Sequence, residues 1–349
     1  MSLPDPEPRR KLSRLGLYGP IAALVILVAG FSGVWLWARG ETERQIDAGV
    51  VRLKAAGYEI AWKDRAISGY PFRLNVTLNE PTIRHNSGWA LEAPRLEGQA
   101  FMHAPTTWVI AAPDGLTFVR PESGPVRVTG KLIRASLNRL TTSPPNLSFE
   151  GTGLSFQATA GAQPFGLSSA ERVEIHLRRA PKEVGDEAGL WLSVKNGKAQ
   201  LSGLLGRIAS DKPISIEWDG RLSEIDAFKG RDWPDAVRNW VTAGGRMSVK
   251  RAGLTAGDAV IGVNSGNLGV GSDGRLSGVL DVSLRQAPRA LGVMGANGTI
   301  PQDQAAAAAA VAEARTTGDL ARATLNFEAG QTTLGPVAIA PAPRVYGPG

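Results

Sequence analysis

Arg172-Val173-Glu174-Ile175-His176-Leu177-Arg178 alternates polar and apolar residues at every step. Successive side chains of a strand leave opposite faces of its sheet, so Val173, Ile175 and Leu177 point one way while Glu174, His176 and the two arginines point the other. One face is oily and one is wet. That pattern belongs to an antiparallel sheet with a solvated side, because parallel strands, buried on both faces, read as unbroken apolar runs.

The same grammar spreads outward in both directions. Phe72, Leu74, Val76 and Leu78 alternate with Arg73, Asn75 and Thr77, between a Tyr70-Pro71 opening and a Glu80-Pro81 stop. Further strands are expected around Trp89 to Leu91, Trp108 to Ile110, Leu116 to Val119, Val126 to Leu137, Leu147 to Phe156, Leu190 to Val194, Ala199 to Leu201 and Ile214 to Leu222. Others follow at Met247 and Val249, Ala259 to Val263, Leu268 and Val270, Leu276 to Leu284, Leu320 to Phe327 and Thr332 to Ile339. Pro113-Asp114-Gly115, Asn196-Gly197 and Asp219-Gly220 read as turns, and Asn-Gly suits a tight type I′ hairpin.

Two helices interrupt the strands. Asp232-Trp233-Pro234-Asp235 supplies an N-cap, an early proline and an acid, Val237, Trp240 and Val241 share one face, and Gly244-Gly245 is a stop. The second runs from Pro301 through the alanines 305–310 towards Arg315, with Gly318 as its C-cap. Alanine favours helix but buries little side chain, so a peripheral or partly mobile helix is expected.

At the other end of the chain, Leu15 to Ala38 carries no charge and, at about 1.5 Å per residue, is long enough for a hydrocarbon core of roughly 30 Å. Arg9, Arg10, Lys11 and Arg14 crowd its N-terminal side, which places that tail in the cytoplasm and the rest of the chain outside. Trp35 and Trp37 fit an outer aromatic belt, and the Val34-Trp35-Leu36-Trp37 run argues against signal-peptide cleavage. Beyond it Ile46, Val50 and Leu53 keep helical spacing up to Gly57, the mark of a stalk helix.

Four of the cations behind the +7 formal charge crowd that basic flank, where they meet anionic headgroups, and the rest of the chain is only mildly basic, so nucleic acid is not an expected partner. The absence of cysteine excludes disulfides and thiolate metal sites. His85, His103 and His176 lack metal-ligand spacing, and no cofactor is implied. Residues 269–274 match G-x-G-x-x-G, yet the following residues alternate like a strand, so no helix N-terminus stands ready for a pyrophosphate and a hairpin turn is the better reading. There is no P-loop and no G-x-S-x-G elbow. Of nine tryptophans, seven lie outside the span; core filling is their ordinary role, but a sheet longer than its helices can cover would leave an apolar groove. Phe72, Val76 and Trp108 are candidates for that groove, each also readable as core.

Ser68-Gly69-Tyr70-Pro71-Phe72-Arg73-Leu74, preceded by Gly57-Tyr58 and Trp62, together with the ending Leu334 to Arg344, resembles bacterial domain-of-unknown-function family 2125, envelope proteins with one N-terminal anchor. The turn and strand Gly274 to Leu280 is distantly similar to AsmA-like proteins, which implies a part in outer-membrane assembly or lipid movement. Neither resemblance supplies a catalytic residue.

The expected fold is mainly β: a transmembrane helix and a stalk helix, then an elongated, curved antiparallel β domain with two short helical insertions. Its parts are a basic tail (1–14), a span (15–38), a stalk (39–57), a periplasmic domain (58–340, divisible near 225–245) and a tail (341–349). The expected role is a non-catalytic protein of the bacterial inner membrane and periplasm. It would bind phospholipid or another envelope protein through the groove. The alternatives are a glycan hydrolase using Glu217 or Asp219 beside Trp218, and a scaffold without a small ligand.

Overall fold

The computed structural model describes residues 15–346 except 141, 143, 182, 184, 200–211, 231, 257–258, 286, 297, 299–300, 315, 318–319 and 336. The basic tail, Leu201, Asp258, Arg315, Gly318 and the last three residues therefore lie outside the described part.

The expected span and stalk are one unbroken helix, α1 (Leu15–Ala55). Ion pairs Arg39 to Glu43 (3.6 Å) and Arg44 to Glu41 (2.7 Å) join neighbouring turns where the apolar stretch gives way to charge. Ile46 and Val50 face the domain, but Leu53 is exposed. Trp35 also departs from expectation: it is buried against the domain, while Trp37 is exposed.

After Gly57 the chain weaves between two arms of one antiparallel sheet. The first arm holds β1 (Tyr58–Ala61), β4 (Thr82–His85), β5 (Ala90–Glu92), β8 (Leu116–Arg120) and β9 (Gly124–Thr129). The second holds β2 (Asp64–Ser68), β3 (Arg73–Asn79), β6 (Arg95–Phe101), β7 (Ala104–Ala111) and β10 (Leu132–Asn138). Both end on β11 (Asn146–Ala158): its residues 146–152 pair with β10 and 155–158 with β9. Between those registers sits Gly153 at φ +60, a conformation that favours a residue without Cβ. The arms close on a shared core: Val126, Val128 and Leu116 from the first meet Ile133 and Leu96 from the second, with Leu154 of β11 between.

From β11 the sheet continues as an antiparallel meander through β12 (Leu167–Arg179), β13 (Glu187–Ala199), β14 (Ile214–Ser223), β15 (Met247–Ala256), β16 (Ala259–Val270) and β17 (Leu276–Arg285). It ends with β19 (Leu320–Glu328), which also pairs with the two-residue β18 (Thr316–Thr317), then β20 (Gln331–Leu334) and β21 (Val337–Pro341).

Two expected turns lie inside strands instead. Asn196-Gly197 falls within β13 at a register shift against β14, and Asp219-Gly220 within β14 at a shift against β15. Glycine serves close approach at both: a Cβ on Gly197 would meet Leu167 Cδ1 at 2.8 Å, and one on Gly220 would meet Trp218 Nε1 at 3.0 Å. These are bulges, which bend a strand without ending it. The turns at 113–115 and 271–274 form as expected, and the latter leads into β17 rather than a helix.

Helix α2 (Trp233–Thr242) is capped by Asp232, whose side chain accepts from the Asp235 amide at 2.8 Å, and it buries Val237 and Trp240. Helix α3 (Ala287–Ala296) was not anticipated from the sequence. The alanine-rich α4 (Gln302–Ala314) is not peripheral, because Ala305, Ala308 and Ala312 are fully buried in the core of β15 to β21. A face of methyl groups keeps the helix close to what it covers; a Cβ on Gly295 of α3 would lie 2.5 Å from that of Ala305. Within the C-terminal tail, residues 341–346 are packed on the domain: Ala342 is buried, the Leu276 amide donates to the Pro343 carbonyl (2.8 Å), and the Val345 amide donates to that of Gly274 (2.8 Å).

Candidate functional site

The register of the meander aligns one row of apolar side chains across its strands. Phe149 lies opposite Ile175, Ile175 opposite Leu192, Leu192 opposite Trp218, Trp218 opposite Ala252 and Ala252 opposite Val263. A parallel row runs beside it through Leu147, Leu177 and Leu190. Cross-strand partners share a face, so these residues form one surface. At its β17 to β21 end the surface is sealed: α4 packs on β19 and β21, and α3 contributes Leu291 to the same core. At the other end the two arms seal it.

Between those ends Phe149, Ile175, Leu177, Leu190, Leu192, Ile216 and Trp218 stay only half-buried. From β11 to β14 is three strand spacings of about 4.8 Å, roughly 14 Å. That is close to the hydrocarbon depth of one leaflet, about 15 Å as half of a bilayer core.

The opposite face of the same strands is ionic. Glu150 of β11 takes Arg134 at 2.6 Å and Arg172 at 2.9 Å, and Arg172 also reaches Glu174 at 2.7 Å. The hydrogen bonds from Arg134, aided by its charge and that of Arg172, hold the Glu150 carboxyl below the ordinary glutamate range despite partial burial. His176 stacks on Trp191, ring centroids 5.1 Å apart.

The residues singled out from the sequence do not form a groove together. Val76 and Trp108 meet on one face: Val76 pairs with Gly98, and a Cβ on Gly98 would lie 3.5 Å from the Trp108 ring. Val76 is buried there, in the core, and Trp108 is half-buried beside it. Phe72 lies apart, exposed beside α1. The hydrolase arrangement is also separated, since period two sends Glu217 and Asp219 to the ionic face and Trp218 to the apolar one. The histidines are held in separate ring contacts, His85 on Tyr58, His103 on Phe101 and His176 on Trp191. Among the described residues no group of three His, Cys, Asp or Glu could hold a metal ion.

A family model described as an uncharacterized protein conserved in bacteria, DUF2125, matches residues 35–343. The chain belongs to the DUF2125 family. No curated protein and no solved structure matches it. The DUF2125 match begins at Trp35, the residue that ties α1 to the domain, and ends at Pro343, whose carbonyl caps the start of β17. It therefore takes in the whole sheet and the half-open row.

The alternation at 172–178 gave the two faces of β12 but not the row, whose members are set by pairing register between segments far apart in sequence. The available signal was the coincidence of apolar phase in Leu147 to Phe149, Val173 to Leu177 and Leu190 to Val194.

Proposed function

We propose that this DUF2125 protein is a non-catalytic lipid-binding protein of the bacterial envelope. Helix α1 crosses the inner membrane with the basic tail in the cytoplasm, the β domain lies in the periplasm, and the half-open row holds a phospholipid acyl chain. The observation that carries this reading is the contrast along one apolar face, closed at both ends yet only half-buried across β11 to β14. An apolar surface of that kind on an otherwise polar domain ordinarily has an occupant. The span is supported by an apolar helix of sufficient length near the N-terminus and by the cations that precede it.

The test is to extract the full chain in mild detergent and identify bound lipid by native mass spectrometry, beside the Leu192→Asn variant. Phospholipid retained by the wild type and lost from a folded Leu192→Asn protein is the expected result. A wild-type chain that releases no lipid removes the reading and leaves a scaffold. A reporter fused after Gly349 gives the topology: activity on the periplasmic side is expected, and activity confined to the cytosol contradicts the placement.

A further inference from the structure

We infer that the domain makes a second contact with the bilayer, through the Tyr70-Pro71-Phe72 loop and the adjoining Phe101 to His103 turn, which sit in the outer-leaflet interface beside α1. The inference rests on the reading that α1 spans the membrane. It starts from where α1 becomes attached to the domain. The attached face of the helix is Phe31, Trp35, Ala38, Thr42 and Ile46, at spacings of three and four, so it begins inside the uncharged stretch rather than after it.

The bonds there are specific. Trp35 Nε1 donates to the Arg73 carbonyl at 2.9 Å, and the Trp35 ring meets Tyr70 edge-on with centroids 5.6 Å apart. Ser32 Oγ donates to the Val28 carbonyl at 2.7 Å, which leaves it to accept from the Tyr70 hydroxyl at 2.9 Å. The Phe72 ring lies 5.8 Å from that of Phe31.

Depth follows from helix rise. A hydrocarbon core of roughly 30 Å takes about twenty helical residues at 1.5 Å each, so with Leu15 at its inner edge the outer edge falls near Val34 and Phe31 lies within about 5 Å of it. Side chains fixed to Ser32 and Phe31 share that depth, whatever the rest of the domain does. The loop is composed for such a place: Tyr70 is 52% exposed, Phe72 68% and Phe101 47%, which would be costly in water and is ordinary for rings at a membrane boundary. Backbone polar groups must be paired at this level, and the Met102 amide donates to the Phe72 carbonyl at 3.0 Å. Arg73 lays its guanidinium over the Phe101 ring at 5.0 Å, a cation suited to lipid phosphates. The domain is thus held at a fixed height and orientation on the bilayer, not swung on a free stalk.

The chain has no cysteine, so single labels can be placed cleanly. Phe72→Cys, Phe101→Cys, Leu27→Cys and Lys195→Cys, all at exposed positions, are each labelled with a polarity-sensitive fluorophore in the full chain and reconstituted into phosphatidylglycerol and phosphatidylcholine vesicles. Nitroxide lipids carrying the quencher near the headgroup or near the chain end then report depth. Labels at 72 and 101 should shift to the blue and lose emission to the shallow quencher, the label at 27 to the deep one, and the label at 195 to neither. If position 27 is quenched while 72 and 101 behave like 195, the loop contact is wrong and the span stands. If position 27 is not quenched, the span fails and the inference falls with it. A blue shift at 72 without quenching means protein covers the loop, which also overturns the bilayer contact.

Discussion

The β15 to β21 end of the sheet and its β11 to β14 middle present the same apolar face and treat it in opposite ways. At the end, α4 brings small side chains, Ala305, Ala308 and Ala312, which let it settle directly onto the sheet and leave those methyls without solvent. In the middle the side chains are large, Phe149, Ile175, Leu192 and Trp218, yet they remain half-buried. Side-chain size therefore does not track closure in this molecule. What closes the face at the end is a covering helix, and the large residues of the middle, packed on the core beside them, keep part of their surface uncovered.

The comparison breaks first on core deletions. Leu334→Ala, at a fully buried position in the closed end, should cost about 2 to 5 kcal/mol because it leaves a cavity. Ile175→Ala, half-buried in the row, should cost about 1 to 2 kcal/mol, since only part of its apolar surface is out of water. Chemical denaturation of both variants measures the difference, and equal losses would mean that the row is as closed as the end.

Overpacking gives the next effect. Ala308→Leu forces extra volume between α4 and the sheet and should cost about 1 to 3 kcal/mol by the same measurement. A neutral Ala308→Leu would contradict the close approach of the helix.

The smallest effect sharpens the contrast between faces. Glu150 has a lowered pKa in the folded state, so its ionised form is the one that folding favours. That contribution is complete above the ordinary glutamate range and is lost as pH falls through the lowered value. Glu150→Gln should flatten the acid side of the stability curve and leave the curve near neutrality comparatively level. An unchanged acid slope would show that the Arg134 and Arg172 pairs add nothing there.

The strands were legible wherever alternation is strict, as at Arg73 to Asn79 and Arg172 to Arg178, because one residue's phase fixes the next. The fork at β11 was not, since nothing local distinguishes a strand with one partner from a strand whose halves have different ones. Asn196-Gly197 and Asp219-Gly220 misled because a glycine step that permits a turn equally permits a bulge, and only the partner strand decides. The alanines of α4 carry no apolar bulk, so composition pointed to the surface; closeness of packing, not area per residue, buries them. Trp35 looked like a belt residue because the carbonyl that receives its indole, Arg73, lies 38 residues further on.

The central claim is that the apolar face of β11 to β14 is occupied by an acyl chain. A photo-crosslinking amino acid placed at Ile175, and separately at His176 on the opposite face, tests it most directly in the full chain irradiated in native membranes. The account predicts phospholipid adducts at 175 and none at 176. Equal labelling at both positions, protein adducts at 175, or no adduct at 175 would contradict it.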